Sequence, residues 1–201
     1  MGLLDILLGR TKPVPPDLDR LFALPSAAVT LEAAAGFTPT GQGAVCFATV
    51  EGGAFEQTHR EVQALLDADT DRAGSPVELL RDDFGYSWLV SRRTPEDLPQ
   101  LVNDLHAVNT SMEVNGFGPQ LLCSLVGFER RADGRRLALV YLYKRGTFYP
   151  FAPLPGAQGG GAGAQRRDSP LELQMKALLA DDLRVEPDLG RWFPLWGAPG
   201  L

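Results

Sequence analysis

The sequence predicts an α+β fold, in which helices pack on one face of a largely antiparallel sheet. Short segments with alternating or continuous apolar residues indicate strands, and other segments with helical apolar spacing separate them. The two most apolar segments flank Asp133-Gly134, a dipeptide that favours a tight hairpin turn. Strands that are apolar at nearly every position are typical of strands buried on both faces. We therefore expect helices on one face of the sheet and a further segment on the other.

Composition divides the chain into four segments. Residues 1–16 form an apolar start followed by a stiff proline-rich spacer. Residues 17–151 carry the predicted α+β domain. Residues 152–168 form a linker rich in glycine and proline, which we expect to be flexible. Residues 169–201 contain a C-terminal helix and an aromatic tail.

The first half of the domain alternates helices and a strand. A helix is predicted to begin near Asp17, and a second, short one covers 27–35 until Gly36 ends it. Residues 29–31 also suit a strand, which leaves the second helix open. Residues 44–50 are predicted as a strand, and residues 54–67 as an amphipathic helix.

Two strands are predicted next, at 77–81 and 84–91, joined at Asp82-Asp83. In the second of them apolar residues alternate, so they share one face of the sheet. These residues are Phe84, Tyr86, Trp88 and Val90. Because the face under the helices needs large apolar side chains, we expect this stripe to point towards the helices.

The rest of the domain predicts a helix and three strands. Thr94-Pro95-Glu96-Asp97 has the cap, proline and acidic first turn of a helix start. The hairpin strands are predicted at 120–130 and 135–144, and a short strand at 147–151. Ser169-Pro170-Leu171-Glu172 matches a capping box, which predicts the start of the C-terminal helix.

Composition also restricts the function and the location. The formal net charge is −6 and the pI is about 4.9, whereas nucleic-acid binders usually carry a basic excess. We therefore expect no nucleic-acid partner. No apolar run approaches the length that spans a bilayer, and the N-terminus lacks the pattern of a secretory signal. The expected location is the cytoplasm.

Candidate catalytic residues are few, so we expect no enzyme activity. The two histidines, His59 and His106, lie at the edges of apolar helix faces and lack metal-ligand neighbours on their own helices. Cys46 and Cys123 sit in apolar strands and suit a reducing compartment, although the sequence leaves a disulfide between them open. No nucleophile elbow and no phosphate loop are present, and we expect neither metal nor cofactor.

The two ends of the chain are the main interaction candidates. The apolar start, with Leu4, Leu7 and Leu8, is too short to be a stable helix alone in water. In the tail, Trp192 and Trp196 belong to a residue type enriched at interfaces. Both ends are predicted to bind a partner. The alternative for each is packing on the chain's own core.

Arginines at the hairpin tip form a third candidate. With a two-residue turn at Asp133-Gly134, Arg131 and Arg136 face each other across the strands. Like charges in that position predict a site for an acidic protein surface or a lipid headgroup. The alternative is a solvated strand edge that discourages aggregation.

Two further functions stay open. A small-molecule sensor or an unrecognised enzyme would need a pocket between the aromatic stripe and the helices, near Tyr86, Trp88 and His106. A homodimer joined through an exposed strand edge would make the protein a structural subunit.

Four segments together resemble the PspA-associated protein family PspAB. They are Gly9-Arg10-Thr11-Lys12-Pro13, Leu21-Phe22-Ala23-Leu24-Pro25-Ser26-Ala27, Gly36-Phe37 and Arg191-Trp192-Phe193-Pro194-Leu195-Trp196. The resemblance implies a role in the phage-shock, envelope-stress response, as an adaptor or regulator. It implies PspA or a neighbouring stress protein as the partner, with peripheral contact at the inner membrane left open. The order of elements also resembles the type III secretion chaperone-like fold, on topology alone.

Overall fold

A computed structural model describes residues 16–69, 76–154 and 165–201. Its centre is a single sheet in which every pair of neighbouring strands is antiparallel. The strands are β1 (Thr38–Ala48), β2 (Glu78–Arg81), β3 (Tyr86–Arg92), β4 (Leu121–Arg130), β5 (Arg135–Leu142) and β6 (Thr147–Phe151). Their order across the six-stranded sheet is β2-β3-β1-β4-β5-β6. The predicted fold class is confirmed.

The α-helices pack on one face of this sheet in the described part of the chain. The α-helices are α1 (Leu24–Ala35), α2 (Gly53–Asp67), α3 (Leu98–Val114) and α4 (Ser169–Leu178). Short 3-10 helices cover Leu18–Ala23, Gly118–Gln120 and Leu189–Arg191. None of the helices in the described ranges has the length and apolar character needed to cross a bilayer.

Helix α1 settles the ambiguity at residues 29–31 in favour of a helix. Pro25 lies in its first turn, where a missing N–H costs nothing, so the helix begins before this proline, at Leu24. Gly36 ends the helix with a φ of 70°, in the left-handed region that glycine enters without strain. Local signals therefore fixed the end of this helix correctly and misplaced its start.

The start of α3 also differs from the prediction. Residues 94–97 form a turn, closed by the Asp97 N–H donating to the Thr94 carbonyl at 2.9 Å. The helix begins at Leu98, with Pro99 in its first turn. Both prolines suit a helix start, and the second one marks the actual beginning.

The start of α4 is capped by a different residue from the one predicted. Asp168 accepts from the Leu171 N–H at 3.2 Å, so the aspartate replaces Ser169 as the cap. Glu172, predicted as the second half of a capping box, instead accepts from the Ala152 N–H at 2.9 Å. Because its carboxylate ties the helix to the end of β6, it cannot also reach back to the helix start.

The sheet has two buried faces. On the helix face, large side chains from α1, α3 and α4 pack against the strands in one continuous core. On the opposite face, here called the tail face, a second cluster joins strand residues to residues of the C-terminal tail. The expected second layer is therefore present, and the tail itself supplies it.

The aromatic stripe on β3 points to the tail face, so the predicted orientation is wrong. Trp88 and Val90 belong to the tail-face cluster, whereas Leu89 packs in the core beneath the helices. Ser91, which shares the helix face with Leu89, donates to Asp104 of α3 at 2.5 Å. Alternation predicts that the stripe residues share one face of the sheet. It does not say which face, because both orientations fit the same pattern.

Candidate functional site

Residues 192–201, called the tail strap here, cover part of the tail face. Trp192 is buried and stacks on Tyr149, with ring centroids 6.0 Å apart, and its indole N–H donates to the Glu186 carbonyl at 3.1 Å. The Tyr149 hydroxyl donates to the Phe193 carbonyl at 2.8 Å. Aromatic stacking and satisfied polar atoms thus anchor the beginning of the strap on β6.

The end of the strap lies over β4. A Cβ atom on Gly127 would overlap the carbonyl oxygen of Gly200 and stand 2.8 Å from the Thr40 hydroxyl oxygen. Arg136 donates to the carbonyl of Leu201 at 2.8 Å. The close approach explains a glycine in the middle of a buried strand, where glycine is otherwise unfavourable.

A groove of about 720 Å³ lies on the tail face, between the sheet and part of the strap. Its floor is the sheet, one wall is the turn between β2 and β3, and its roof comes from the strap. The lining is mostly apolar. It comprises Cys46, Asp82, Phe84, Tyr86, Trp88, Leu122, Cys123, Leu142, Lys144, Arg145, Tyr149, Gln165, Arg191, Phe193, Pro194, Leu195, Trp196, Gly197 and Ala198.

The two cysteines meet on the floor of the groove. Cys46 of β1 and Cys123 of β4 are directly opposite each other in the antiparallel register, and both thiols are free. The neighbouring Cys123 thiol and burial raise the pKa of Cys46 far above its usual range. Because only the thiolate is a strong nucleophile or metal ligand, the Cys46 thiol is unreactive at physiological pH.

A satisfied carboxylate lies in the wall of the groove. Asp82 Oδ1 accepts from the backbone N–H groups of Phe84 and Tyr86, each at 2.9 Å. Its Oδ2 accepts from the Trp88 indole N–H, also at 2.9 Å. The carboxylate closes the turn and orients the indole along the groove. Both of its oxygens therefore already have structural partners.

The groove does not lie where the sequence predicted a pocket. Tyr86 and Trp88 line it, but His106 lies on α3, across the sheet. There the His106 ring packs on Phe22 at 4.9 Å and its Nε2 approaches Asp19 at 3.4 Å. The expected position between stripe and helices is filled by packed core because the stripe faces the other way.

The contacts of the other histidine are also those of a residue packed within the fold. His59 is buried on α2, and its Nδ1 lies 3.1 Å from the Phe55 carbonyl. Burial is the main cause that lowers its pKa. Within the described ranges, no group of three or more metal-ligating side chains comes together.

The hairpin tip differs from the prediction in its register. Arg130 pairs with Arg135, and Arg136 pairs with Glu129, so Arg131 and Arg136 do not face each other. The loop has four residues because Asp133 accepts from the Arg130 guanidinium, at 2.7 and 3.0 Å, and from the Arg135 backbone N–H at 3.3 Å.

Acidic partners surround this tip. The guanidinium of Arg130 lowers the pKa of Asp133 to about 2, and Arg135 also contacts Asp168. Arg131 is exposed, and its Nε lies 3.7 Å from Glu129. These contacts favour the alternative of a solvated, charged strand edge, and the predicted binding role of Arg131 and Arg136 stays a prediction.

The remaining predicted partner residues lie in different surroundings. Leu4, Leu7 and Leu8 lie outside the described residues. Trp192 is inside the tail-face core, which matches the alternative of docking on the chain itself. Trp196 is half-buried, packs edge-on against Phe151 at 5.1 Å and lines the groove. Their roles in binding a partner stay predictions.

Sequence reasoning missed the exposed aromatic side chains at the mouth of the groove. Phe84 is 73% exposed and Phe193 is 58% exposed, and both line the groove. The sequence gives the local position of each residue, since Phe84 precedes β3 at a turn and Phe193 follows Trp192. Nothing in the local pattern brings the two together, because their proximity depends on the path of the tail strap.

Comparison with known families identifies the chain. The family PspAB, described as PspA associated protein B, matches residues 1–200. The chain belongs to the PspAB family. Neither the curated proteins nor the solved structures contain a significant match to it. The resemblance to the type III secretion chaperone-like fold therefore stays a prediction, while the link to the PspA system rests on the whole chain.

Proposed function

We propose that this PspAB-family chain is a non-enzymatic adaptor that binds a protein partner of the PspA envelope-stress response. The family description supplies the association with PspA. The observation that carries the proposal is the cluster of exposed aromatic side chains around one groove. PspA itself is the first partner to test, and a neighbouring stress protein is the second.

Exposed apolar residues elsewhere on the described surface are isolated from one another, unlike those at the groove. Val29, Leu65 and Val114 are each more than half exposed and lie apart, on different helices. Scattered residues of this sort are normal on a soluble surface. Phe84 and Phe193 instead share one concave site, and contiguous apolar patches of that kind mark interaction sites.

The proposed contact surface consists of the groove mouth. Phe84, Tyr86, Phe193 and Trp196 would be covered by the partner, since aromatic residues are enriched in the energetically dominant part of interfaces. Trp196 is the one residue shared with the partner surface predicted from the sequence. Trp192 would act indirectly, by anchoring the strap that carries Phe193.

A binding experiment with PspA tests this proposal. The purified full chain is immobilised, and binding of PspA is compared for Phe84→Ser, Phe193→Ser and the matched control Val114→Ser, which changes an exposed apolar residue on α3. Loss of an aromatic hot spot weakens binding by on the order of tenfold or more. Val114→Ser should bind normally. Equal binding by all variants, or no binding of PspA and its neighbouring stress proteins to the unmodified chain, would contradict the proposal.

A homodimer through strand edges has less support. At the β6 edge, Phe148 exchanges backbone hydrogen bonds with Arg184 and Glu186, at 2.9 and 2.7 Å, so part of the edge is already paired. At the other edge, β2 has four residues and carries Glu78 and Arg81, and short charged edges discourage pairing. A mass in solution that stays monomeric over a wide concentration range would exclude the dimer.

The groove also supports one part of the alternative function, which was a small-molecule sensor or an unrecognised enzyme. The part it supports is the binding of a small molecule. Its volume falls within the range of about 300–1,000 Å³ typical of ligand pockets. A catalytic role has less support. Among the described residues, the lining contains no histidine and one carboxylate, Asp82, which has structural partners on both oxygens. Because the pKa of the buried Cys46 thiol is raised, this thiol stays protonated.

A further inference from the structure

We propose that the groove binds a single-chain anionic amphiphile, that is, one unbranched acyl chain with a negatively charged end, taken up as a monomer. This inference goes beyond the adaptor proposal and requires no protein partner. The acyl chain would lie between the sheet and the tail strap. The charged end would remain at the mouth, near the turn between β5 and β6.

The interior of the groove suits a hydrocarbon chain. Trp88, Leu122 and Leu142 contribute apolar surface from the sheet, and Leu195 and Trp196 contribute it from the strap. The opposed thiols between them are only weak hydrogen-bonding groups. A polar ligand would lose its hydration there without finding partners, because Asp82 has both oxygens engaged and the Tyr149 hydroxyl donates to the strap.

The mouth of the groove suits a negative charge. Lys144 is exposed and lines the groove, and within the part of the chain that the structure describes it makes no ion pair or hydrogen bond. Arg145 and Arg191 also line it, with their own carboxylate partners, Glu186 and Asp188, outside the lining. An anion at the mouth would therefore gain Lys144 as a partner without breaking an existing pair.

The roof distinguishes a monomer from a bilayer surface. Because Phe193, Leu195 and Trp196 lie over the sheet, the groove is a partly enclosed space between two layers of protein. A single chain can enter such a space end-on. A flat membrane would reach only the exposed rim, represented by Phe84. The enclosed lining therefore favours uptake of an individual amphiphile.

A chain-length series is the first test. Calorimetric titrations of the purified full chain use decanoate, dodecanoate and tetradecanoate, each below its critical micelle concentration. Burial of each further methylene should tighten binding by about fourfold until the groove is full. Dodecanol and dodecyltrimethylammonium at the same chain length test the charge, and both should bind more weakly than dodecanoate. Dodecyl phosphate distinguishes a phosphate end from a carboxylate end.

Variants at the mouth provide the second test. Lys144→Gln should weaken dodecanoate binding by up to about fivefold, since an exposed ion pair contributes up to about that much, and should leave dodecanol binding unchanged. Lys176→Gln is the matched control. Lys176 lies 5.8 Å from the Trp192 ring and does not line the groove, so both ligands should bind this variant normally.

Tryptophan quenching locates the ligand without a destabilising substitution. A dodecanoate brominated near its methyl end should quench the unmodified chain, because Trp88 and Trp196 line the groove. Trp196→Phe should reduce the quenched fraction. Circular dichroism confirms that each variant is folded.

Four results would overturn the proposal: no saturable binding of any monomer, affinity that does not depend on chain length, equal affinity for the cationic amphiphile, or binding only to anionic vesicles. The last result would assign the rim to a membrane surface instead. None of these measurements includes PspA. A failure here therefore leaves the adaptor proposal standing, and failure of PspA binding leaves this site standing.

Discussion

The helix face and the tail face of the sheet are covered by different kinds of chain. On the helix face, α1, α3 and α4 pack regular apolar surfaces against the strands in one continuous core. On the tail face, an irregular strap is fixed at a few points, chiefly Trp192, Trp196 and the close approach of Gly200 to Gly127. The groove lies on the face with the irregular cover. Regular helices pack closely against their face of the sheet, whereas a strap that contacts the sheet at only a few residues leaves space for a ligand.

The largest effect is expected when the buried ion pair on the helix face is broken. Arg93 donates to Asp104 at 2.8 and 2.9 Å, and both side chains are almost completely buried. Asp104→Asn removes the buried counter-charge and leaves the guanidinium with only the partly exposed Asp69, so the free energy of unfolding should fall by about 3–5 kcal/mol. Urea denaturation measures the change.

Asp69→Asn is the matched control for that pair. Asp69 contacts the same guanidinium at 2.7 Å, but its side chain is 38% exposed. The loss of an exposed charge partner should cost about 0–1 kcal/mol. Similar losses for the two variants would show that burial does not govern the strength of this network.

The second prediction loosens the tail strap. In Gly127→Ala, the new methyl group would overlap the Gly200 carbonyl, so the end of the strap must move and the free energy of unfolding should fall by about 1–3 kcal/mol. Gly53→Ala adds a methyl group at the start of α2, where nothing lies within 4 Å, and should be neutral or slightly stabilising.

A double-mutant cycle locates the effect of Gly127→Ala. If the strap is the obstacle, removing residues 199–201 should abolish most of the cost of the added methyl group. Fully additive losses would mean that the methyl group acts through Thr40 on β1, and that the end of the strap does not hold the tail face.

The third prediction compares a buried tyrosine on each face. Burial raises the pKa of Tyr141, on the helix face, to about 12, and it raises the pKa of Tyr149, on the tail face, still further. In the unfolded chain both would ionise near pH 10. The stabilising contribution is therefore complete below about pH 10 and is lost as the pH rises towards 12.

Chemical denaturation between pH 9 and pH 12, from about one unit below the unfolded pKa to the folded pKa of Tyr141, measures this loss. Each tyrosine should lower the free energy of unfolding by up to about 1.4 kcal/mol per pH unit. Tyr141→Phe and Tyr149→Phe should each remove part of the slope. A slope that neither variant changes would assign the alkaline loss to other groups.

Patterns within single segments predicted most of the fold. The continuous apolar strands β4 and β5 required cover on both faces, and the sheet has that cover. The boundaries that failed depended on side-chain contacts that no local pattern contains. Asp133 set a four-residue loop by bonding Arg130, and Asp168 replaced Ser169 as a helix cap.

The candidate site was less predictable than the fold. Trp196, Tyr86 and Trp88 were selected from the sequence, but as members of two separate sites. Their common groove exists because the tail strap returns across the sheet, a long-range feature without a local signature. The face to which Trp88 points was also undetermined, since alternation alone gives two equivalent orientations.

The contact between Gly200 and Gly127 has a consequence for folding kinetics. It joins positions far apart in sequence, as does the hydrogen bond from Arg136 to Leu201. Closing such a long loop costs chain entropy before any contact forms, so we expect the strap to dock after the hairpin of β4 and β5. Until it docks, the apolar tail face is open to water and to other chains, so we expect the chain to be most prone to aggregate in that interval.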